Sequence, residues 1–180
     1  NGQWCRALGR LVVAESVLTS LVAKVEAVLG SLVIGDSLDA STEMGPMVHS
    51  GHRELLVKSV DALVAAGGSA IAPSTLPALG GSFFAPTLIT GLSSEDFPDE
   101  VFGPVLCVLP YTTLDHALAL ANDHQFGLAS GLYTEDYRSV MPAANEIEAG
   151  ELYINCTPAD PYQGYHTALT RSGLGVDAGQ

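Results

Sequence analysis

The sequence predicts an α/β fold, a mostly parallel open sheet flanked by helices. Short apolar, β-branched runs alternate along the chain with longer segments in which apolar residues recur at helical spacing. Those helical segments span roughly 10 to 17 residues, the length a crossover between parallel strands needs. Hydrophobic residues make up 47% of the 180 residues, enough to fill a core and too many for a disordered chain.

Residues 9–14 (GRLVVA) read as the first strand. Ser16 is placed to cap the next helix, in which Val17, Leu18, Leu21, Val22, Val25, Val28 and Leu29 recur with helical spacing and which Gly30 ends. Residues 34–46 are rich in turn formers and read as a surface connection. A second helix is expected over about 50–66, with Leu55, Leu56, Val60, Leu63 and Val64 as its apolar face and Gly67-Gly68 as its stop. A short strand over 69–72 precedes a Pro/Gly/Leu loop over 73–81. Pro86 interrupts 83–90, which assigns that stretch to a sheet edge or to irregular structure.

An acidic segment, 95–102, contains Pro98 and leads into an apolar strand over 105–109. Thr113 caps a helix carrying Leu114, Ala117, Leu118 and Ala121, which Asn122-Asp123-His124 breaks. Residues 127–133 read as a strand, 137–147 as a helix with Pro142 early in it, Gly150 as its end, and 152–155 as another strand. Beyond Cys156, the residues Pro158, Pro161, Gly164, Gly173, Gly175 and Gly179 make the chain loop-like. No internal repeat and no linker divides it.

Charge and cysteine usage narrow the function classes. A net charge of −13, from 7 basic and 20 acidic residues, disfavours nucleic acid and anionic membranes as partners. No uncharged apolar run reaches the roughly 18 residues of a transmembrane helix. The three cysteines, Cys5, Cys107 and Cys156, match no metal-site spacing and suit a reducing cytosol, so a cytoplasmic protein is expected. Cys107 lies in an apolar run and reads as a core thiol. His49, His52, His116 and His124 read as surface residues, and no carboxylate or histidine grouping suggests a metal site. No signal peptide is visible and the chain opens on Asn1 rather than Met, so it reads as a piece of a longer polypeptide.

Chemistry centres on Asn1-Gly2-Gln3-Trp4-Cys5. A thiol with pKa near 8.5 is only about 3% thiolate at pH 7. Backbone N–H groups or a helix N-terminus turn it into a nucleophile by stabilising the anion. Gly2 permits the unusual φ that such a turn needs. On these residues alone Cys5 is either an ordinary thiol or a nucleophile.

Further stretches bear on that choice. They are Gly35-Asp36 through Thr42, Gly45-Pro46 and Val48; Glu100-Val101-Phe102-Gly103-Pro104; Ala121-Asn122-Asp123 with Phe126-Gly127-Leu128-Ala129; Gly150 to Asn155; and Arg171-Ser172-Gly173-Leu174-Gly175. In this order and spacing they resemble the aldehyde dehydrogenase superfamily, specifically its catalytic domain. Ser37 stands where the family usually has Pro. The tail, Gln163-Gly164-Tyr165-His166 and then Arg171-Ser172-Gly173, resembles the lactaldehyde/glycolaldehyde branch.

The resemblance implies oxidation of a small aldehyde with NAD or NADP. Cys5 would be the nucleophile, forming a thiohemiacetal and then a thioester, with its backbone N–H helping to hold the oxyanion. Glu100 would accept hydrogen bonds from the ribose hydroxyls beside the nicotinamide, and Phe102 would pack against that ring. Without the Phe-Gly-Pro that follows, Glu100 reads as a solvated acid and Phe102 as a core residue. Asn155 either supports the active-site backbone or caps its strand. Gln163 and His166 would line the substrate mouth, although a loop histidine also reads as merely solvated.

Residues 1–180 would then be the catalytic domain truncated at both ends, lacking the N-terminal cofactor-binding domain and the C-terminal pairing strand. The second oxyanion donor and the general base would belong to that other domain, and the fragment alone would be inactive. The full-length protein would be a homo-oligomer. Two alternatives stay open: a non-catalytic assembly or binding module of the same family, and an enzyme that passes the acyl group to coenzyme A.

Overall fold

In the computed structural model of the protein, residues 1–97, 100–159 and 163–178 are described. The readings at Pro98, Pro161 and Gly179 lie outside them. The chain forms two compact units, Asn1–Tyr111 and Thr112–Gln180, and no composition break marks the boundary.

The first unit is built on a four-stranded sheet. Its strands are β1 (Arg10–Ala14), β2 (Ser69–Ile71), β3 (Thr87–Thr90) and β4 (Val105–Tyr111), in the order β1-β4-β3-β2. β4 pairs in parallel with β1 and with β3, and β2 joins β3 antiparallel. Helix α1 (Glu15–Ser31) covers one face. Leu18, Leu21, Val22, Val25 and Leu29 pack there against Val13, Leu88 and Val108. Helix α2 (Ser50–Ala65) serves the other face, where Leu56 and Leu63 join Ile89, Val105 and Cys107. Adjacent residues of one strand therefore point into different cores, as the pleat requires. Each fully buried leucine contributes about 1.5–3 kcal/mol.

Several local details differ from the sequence reading. Helix α1 starts one residue before Ser16, with Ala14 at the cap position and no side-chain cap. Glu15 occupies the first turn, where its charge meets the positive end of the helix. Gly30 is inside the last turn, and Val17 and Val28 are exposed. In α2, Leu55 and Val64 are exposed as well, so its buried stripe is narrower than expected. Its stop is as read. Gly67 takes φ +108, its N–H bonds the carbonyl of Val64, and the Gly68 N–H bonds that of Leu63, which is a Schellman closure.

The stretch 83–90 is neither irregular throughout nor at an edge. Pro86 directly precedes β3, where its missing N–H costs no ladder bond, and β3 lies between two partners with Leu88 and Ile89 fully buried. The connection 34–46 is also more than a surface loop. Ile34 and Met44 form a parallel bridge and both are buried in the α2-side core.

The second unit holds α3 (Leu114–Asn122), β5 (Phe126–Gly127), β6 (Ala129–Leu132), α4 (Tyr137–Glu146), β7 (Glu151–Ile154), β8 (Tyr165–Thr167), β9 (Leu169–Thr170) and β10 (Val176–Ala178). Thr113 caps α3 as read, its hydroxyl accepting from the His116 N–H at 3.2 Å. Leu120 joins Leu118 as a buried residue of that helix. The strand expected over 127–133 is split. β5 pairs antiparallel with β9, whereas β6 pairs in parallel with β7 across α4. Pro142 sits in the middle of α4 rather than early, and the helix ends at the Ile147 cap, before Gly150. The segment after Cys156 is not wholly loop: β8 and β10 form an antiparallel pair.

Candidate active site

The first unit brings the thiol segment onto the Phe-Gly-Pro turn. An N–H from Ala7 to the carbonyl of Trp4, at 2.9 Å, closes a turn around Cys5 and Arg6. Cys5 is an exposed free thiol, whereas Arg6 is buried. Upstream, Gly2 has φ +67, and a Cβ there would meet the carbonyl oxygen of Gly103 at 2.3 Å and the nitrogen of Pro104 at 2.8 Å. Only glycine allows both that φ and that approach. Asn1 Nδ2 donates to the carbonyl of Pro46 at 2.8 Å, and Gln3 Oε1 accepts from the Val48 N–H at 3.1 Å. The thiol segment is thus tied to the Gly-Pro loop as well as to the Phe-Gly-Pro turn.

That turn has its own fixings. The Gly103 N–H bonds the carbonyl of Val101, the Val105 N–H that of Gly103, and the Thr87 N–H that of Pro104. Gly103 is pressed onto α2, where a Cβ would lie 2.5 Å from Leu56 Cδ2. Phe102 is 38% exposed, so it is not a core residue, and Glu100 is exposed. Asn1, Gln3, Pro46, Val48, His52 and Phe102 line an open surface depression of about 520 Å³. Glu100 and Cys5 are not among those lining residues.

Histidines read as surface residues prove unequal. His49 and His116 are exposed, and His49 caps α2, its Nδ1 accepting from the His52 N–H at 3.0 Å. His52 and His124 are half-buried; Nδ1 of His124 accepts from the Phe126 N–H. Nε2 of His52 lies 2.6 Å from the carbonyl oxygen of Phe102. The sequence reading missed this residue. Its one signal was a histidine in the first turn of a helix directly after the Gly-Pro loop.

Two groups have displaced pKa values. Burial pushes the Cys107 thiol up to about 12, against a smaller opposing pull from the Arg10 guanidinium. The N–H and hydroxyl of Ser41 hold the exposed Asp39 carboxyl below its ordinary value. Among the described residues no group of three His, Cys, Asp or Glu is placed to hold a metal ion, and no helix is long and apolar enough to cross a membrane.

The remaining expected site residues lie in the second unit. Asn155 follows β7 at φ 53, with Oδ1 accepting from the Thr134 N–H and Nδ2 donating to the Thr134 carbonyl, both at 2.9 Å. Both bonds go to the backbone of Thr134, beyond the end of β6. His166 is on β8, not in a loop, and its Nδ1 donates to Glu151 Oε1 at 2.6 Å. The Tyr153 hydroxyl donates to the other oxygen of that carboxylate, also at 2.6 Å. Gln163 is exposed in a turn.

The aldehyde dehydrogenase family model matches residues 1–180, and the chain belongs to that family. It is 29% identical to chloroplastic betaine aldehyde dehydrogenase of Beta vulgaris and 32% identical to peroxisomal aminoaldehyde dehydrogenase 1 of Malus domestica. Each match takes in 100% of this chain and 37% of the relative. Among solved structures, the NAD+ complex of betaine aldehyde dehydrogenase from Staphylococcus aureus superposes with a TM-score of 0.93 at 30% identity, over 99% of this chain and 37% of that one. A 3,6-anhydro-L-galactose dehydrogenase in complex with NADP gives the same TM-score at 27% identity, over 99% of this chain and 39% of that one. The chain therefore spans little more than a third of the length of these relatives.

Proposed function

We propose that this chain carries the thiol centre of an NAD(P)-dependent aldehyde dehydrogenase. The observation that carries the reading is the packing of the Cys5-bearing segment directly against the Phe102-Gly103-Pro104 turn, in a member of this family. Phe102 offers a half-exposed aromatic face for a planar ring, and the exposed carboxylate of Glu100, two positions upstream, offers two acceptor oxygens for a vicinal diol. These groups fit the nicotinamide and its ribose. When bound, the dinucleotide supplies the hydride acceptor.

The chain's own part is nucleophilic. The Cys5 thiolate adds to the aldehyde carbonyl carbon, so a C–S bond forms and the oxygen becomes an alkoxide. The exposed turn leaves the sulfur accessible, and the family resemblance makes the Cys5 backbone N–H the donor to that oxygen. Loss of hydride from the same carbon leaves a thioester on Cys5, and water releases the acid. The relatives are named for betaine aldehyde and aminoaldehydes, and the tail resembles a branch acting on hydroxyaldehydes. We take the substrate to be a small aldehyde bearing a polar group. Free cysteines favour the cytoplasm, although the plant relatives are named chloroplastic and peroxisomal, and the complete protein is taken to be a homo-oligomer.

The test is aldehyde-dependent NADH formation by the complete polypeptide. Cys5→Ala should lower the rate by at least about 10³-fold, and retained activity sinks the assignment. Glu100→Gln should weaken cofactor handling or slow hydride transfer.

A further inference from the structure

We propose that His52 is a positioning residue for the cofactor-contacting turn, an inference that rests on the function just proposed. A carbonyl oxygen only accepts hydrogen bonds, so the 2.6 Å contact with Phe102 requires the proton on Nε2 of His52. Within the turn, backbone N–H groups already hold the carbonyls of Val101, Gly103 and Pro104. The Phe102 carbonyl is held by the His52 side chain.

The donor is itself fixed. His52 lies in the first turn of α2, and its own N–H is taken by the Nδ1 of the capping residue His49 at 3.0 Å. The two rings meet edge-on with centroids 6.2 Å apart. The next residue, Arg53, donates from Nε to the carbonyl of Phe83 at 2.8 Å. The start of α2 therefore clamps two separate backbone segments by consecutive side chains. His52 and Phe102 also border the same open surface depression. The bond restrains the peptide between Phe102 and Gly103, and with it the backbone on which the Phe102 side chain stands. His52 acts through this peptide and need not touch the cofactor.

The complete polypeptide carrying His52→Leu, which removes the donor, and His52→Gln, which restores one, decides the matter. Amide hydrogen exchange over 100–106 should quicken in His52→Leu by roughly three- to tenfold, the worth of one neutral hydrogen bond, and return close to the original rate in His52→Gln. The KM for NAD should rise by a similar factor in His52→Leu, while the KM for aldehyde stays within about twofold. Unchanged exchange in His52→Leu overturns the proposal, and so does an equal rise in both KM values. If the unsubstituted protein forms no NADH, the proposed function falls, and the exchange measurement alone then decides whether His52 positions the turn.

Discussion

Gly2 rests on Gly103 so closely that a single added methyl would meet the Gly103 carbonyl oxygen at 2.3 Å. The turn that carries the thiol and the turn that carries Phe102 are therefore one packed unit, and a displacement of either moves the other.

Gly2→Ala tests that coupling. The substitution also forces alanine into φ +67, a left-handed conformation that costs about 1–2 kcal/mol for a residue with a Cβ. We expect kcat of the complete polypeptide to fall by about 10²-fold, the effect of misplacing a reacting group by roughly an ångström. Steady-state kinetics and a thermal melt check it. A large loss of kcat with an unchanged fold is the expected pattern, and unaltered kcat contradicts it.

The three thiols should separate by accessibility. Cys5 and Cys156 are exposed and should alkylate in the folded protein, whereas buried Cys107 should label only on unfolding. Peptide mass spectrometry over a time course reads this directly.

Cys107 also sets a pH dependence. Its folded pKa is raised to about 12 from an ordinary 9.0, chiefly by burial. Below pH 9 both states keep the proton and the group contributes no slope. Between 9 and 12 the unfolded chain releases it while the folded chain does not, so stability falls as pH rises, by at most about 1.4 kcal/mol per unit. Denaturant unfolding at pH 8 and pH 10.5 should show a smaller loss in Cys107→Ala than in the unsubstituted chain. Equal losses contradict the burial argument.

Asn155→Leu should destabilise the second unit. It removes both bonds to Thr134 and leaves a branched side chain at φ 53. We expect a loss of about 2–4 kcal/mol, from two hydrogen bonds and backbone strain. Asn155→Gly forfeits the bonds but accepts the φ, so it should lose less. Thermal midpoints of the two variants check the order.

What the sequence made legible divides along physical lines. Helices α1, α2 and α3 were readable because their apolar residues keep the helical period, and because Thr113 and Gly67-Gly68 carry local cap chemistry. Strands β8, β9 and β10 were not, since they are two or three residues long and defined by partners distant in sequence. Pro86 misled because proline excludes a ladder position only within a strand, and it precedes β3 by one residue. In the candidate site, Cys5 and Phe102 were singled out through a motif resemblance. His52 escaped because its role depends on a contact with residue 102, which no local pattern encodes.

The most direct measurement is the mass of the cysteine peptides after the complete polypeptide is mixed with aldehyde and NAD and quenched in acid during turnover. The account predicts an acyl adduct on the peptide containing Cys5 and none on those containing Cys107 or Cys156. NADH formation with Cys5 unmodified, or with the adduct on Cys156, would contradict it.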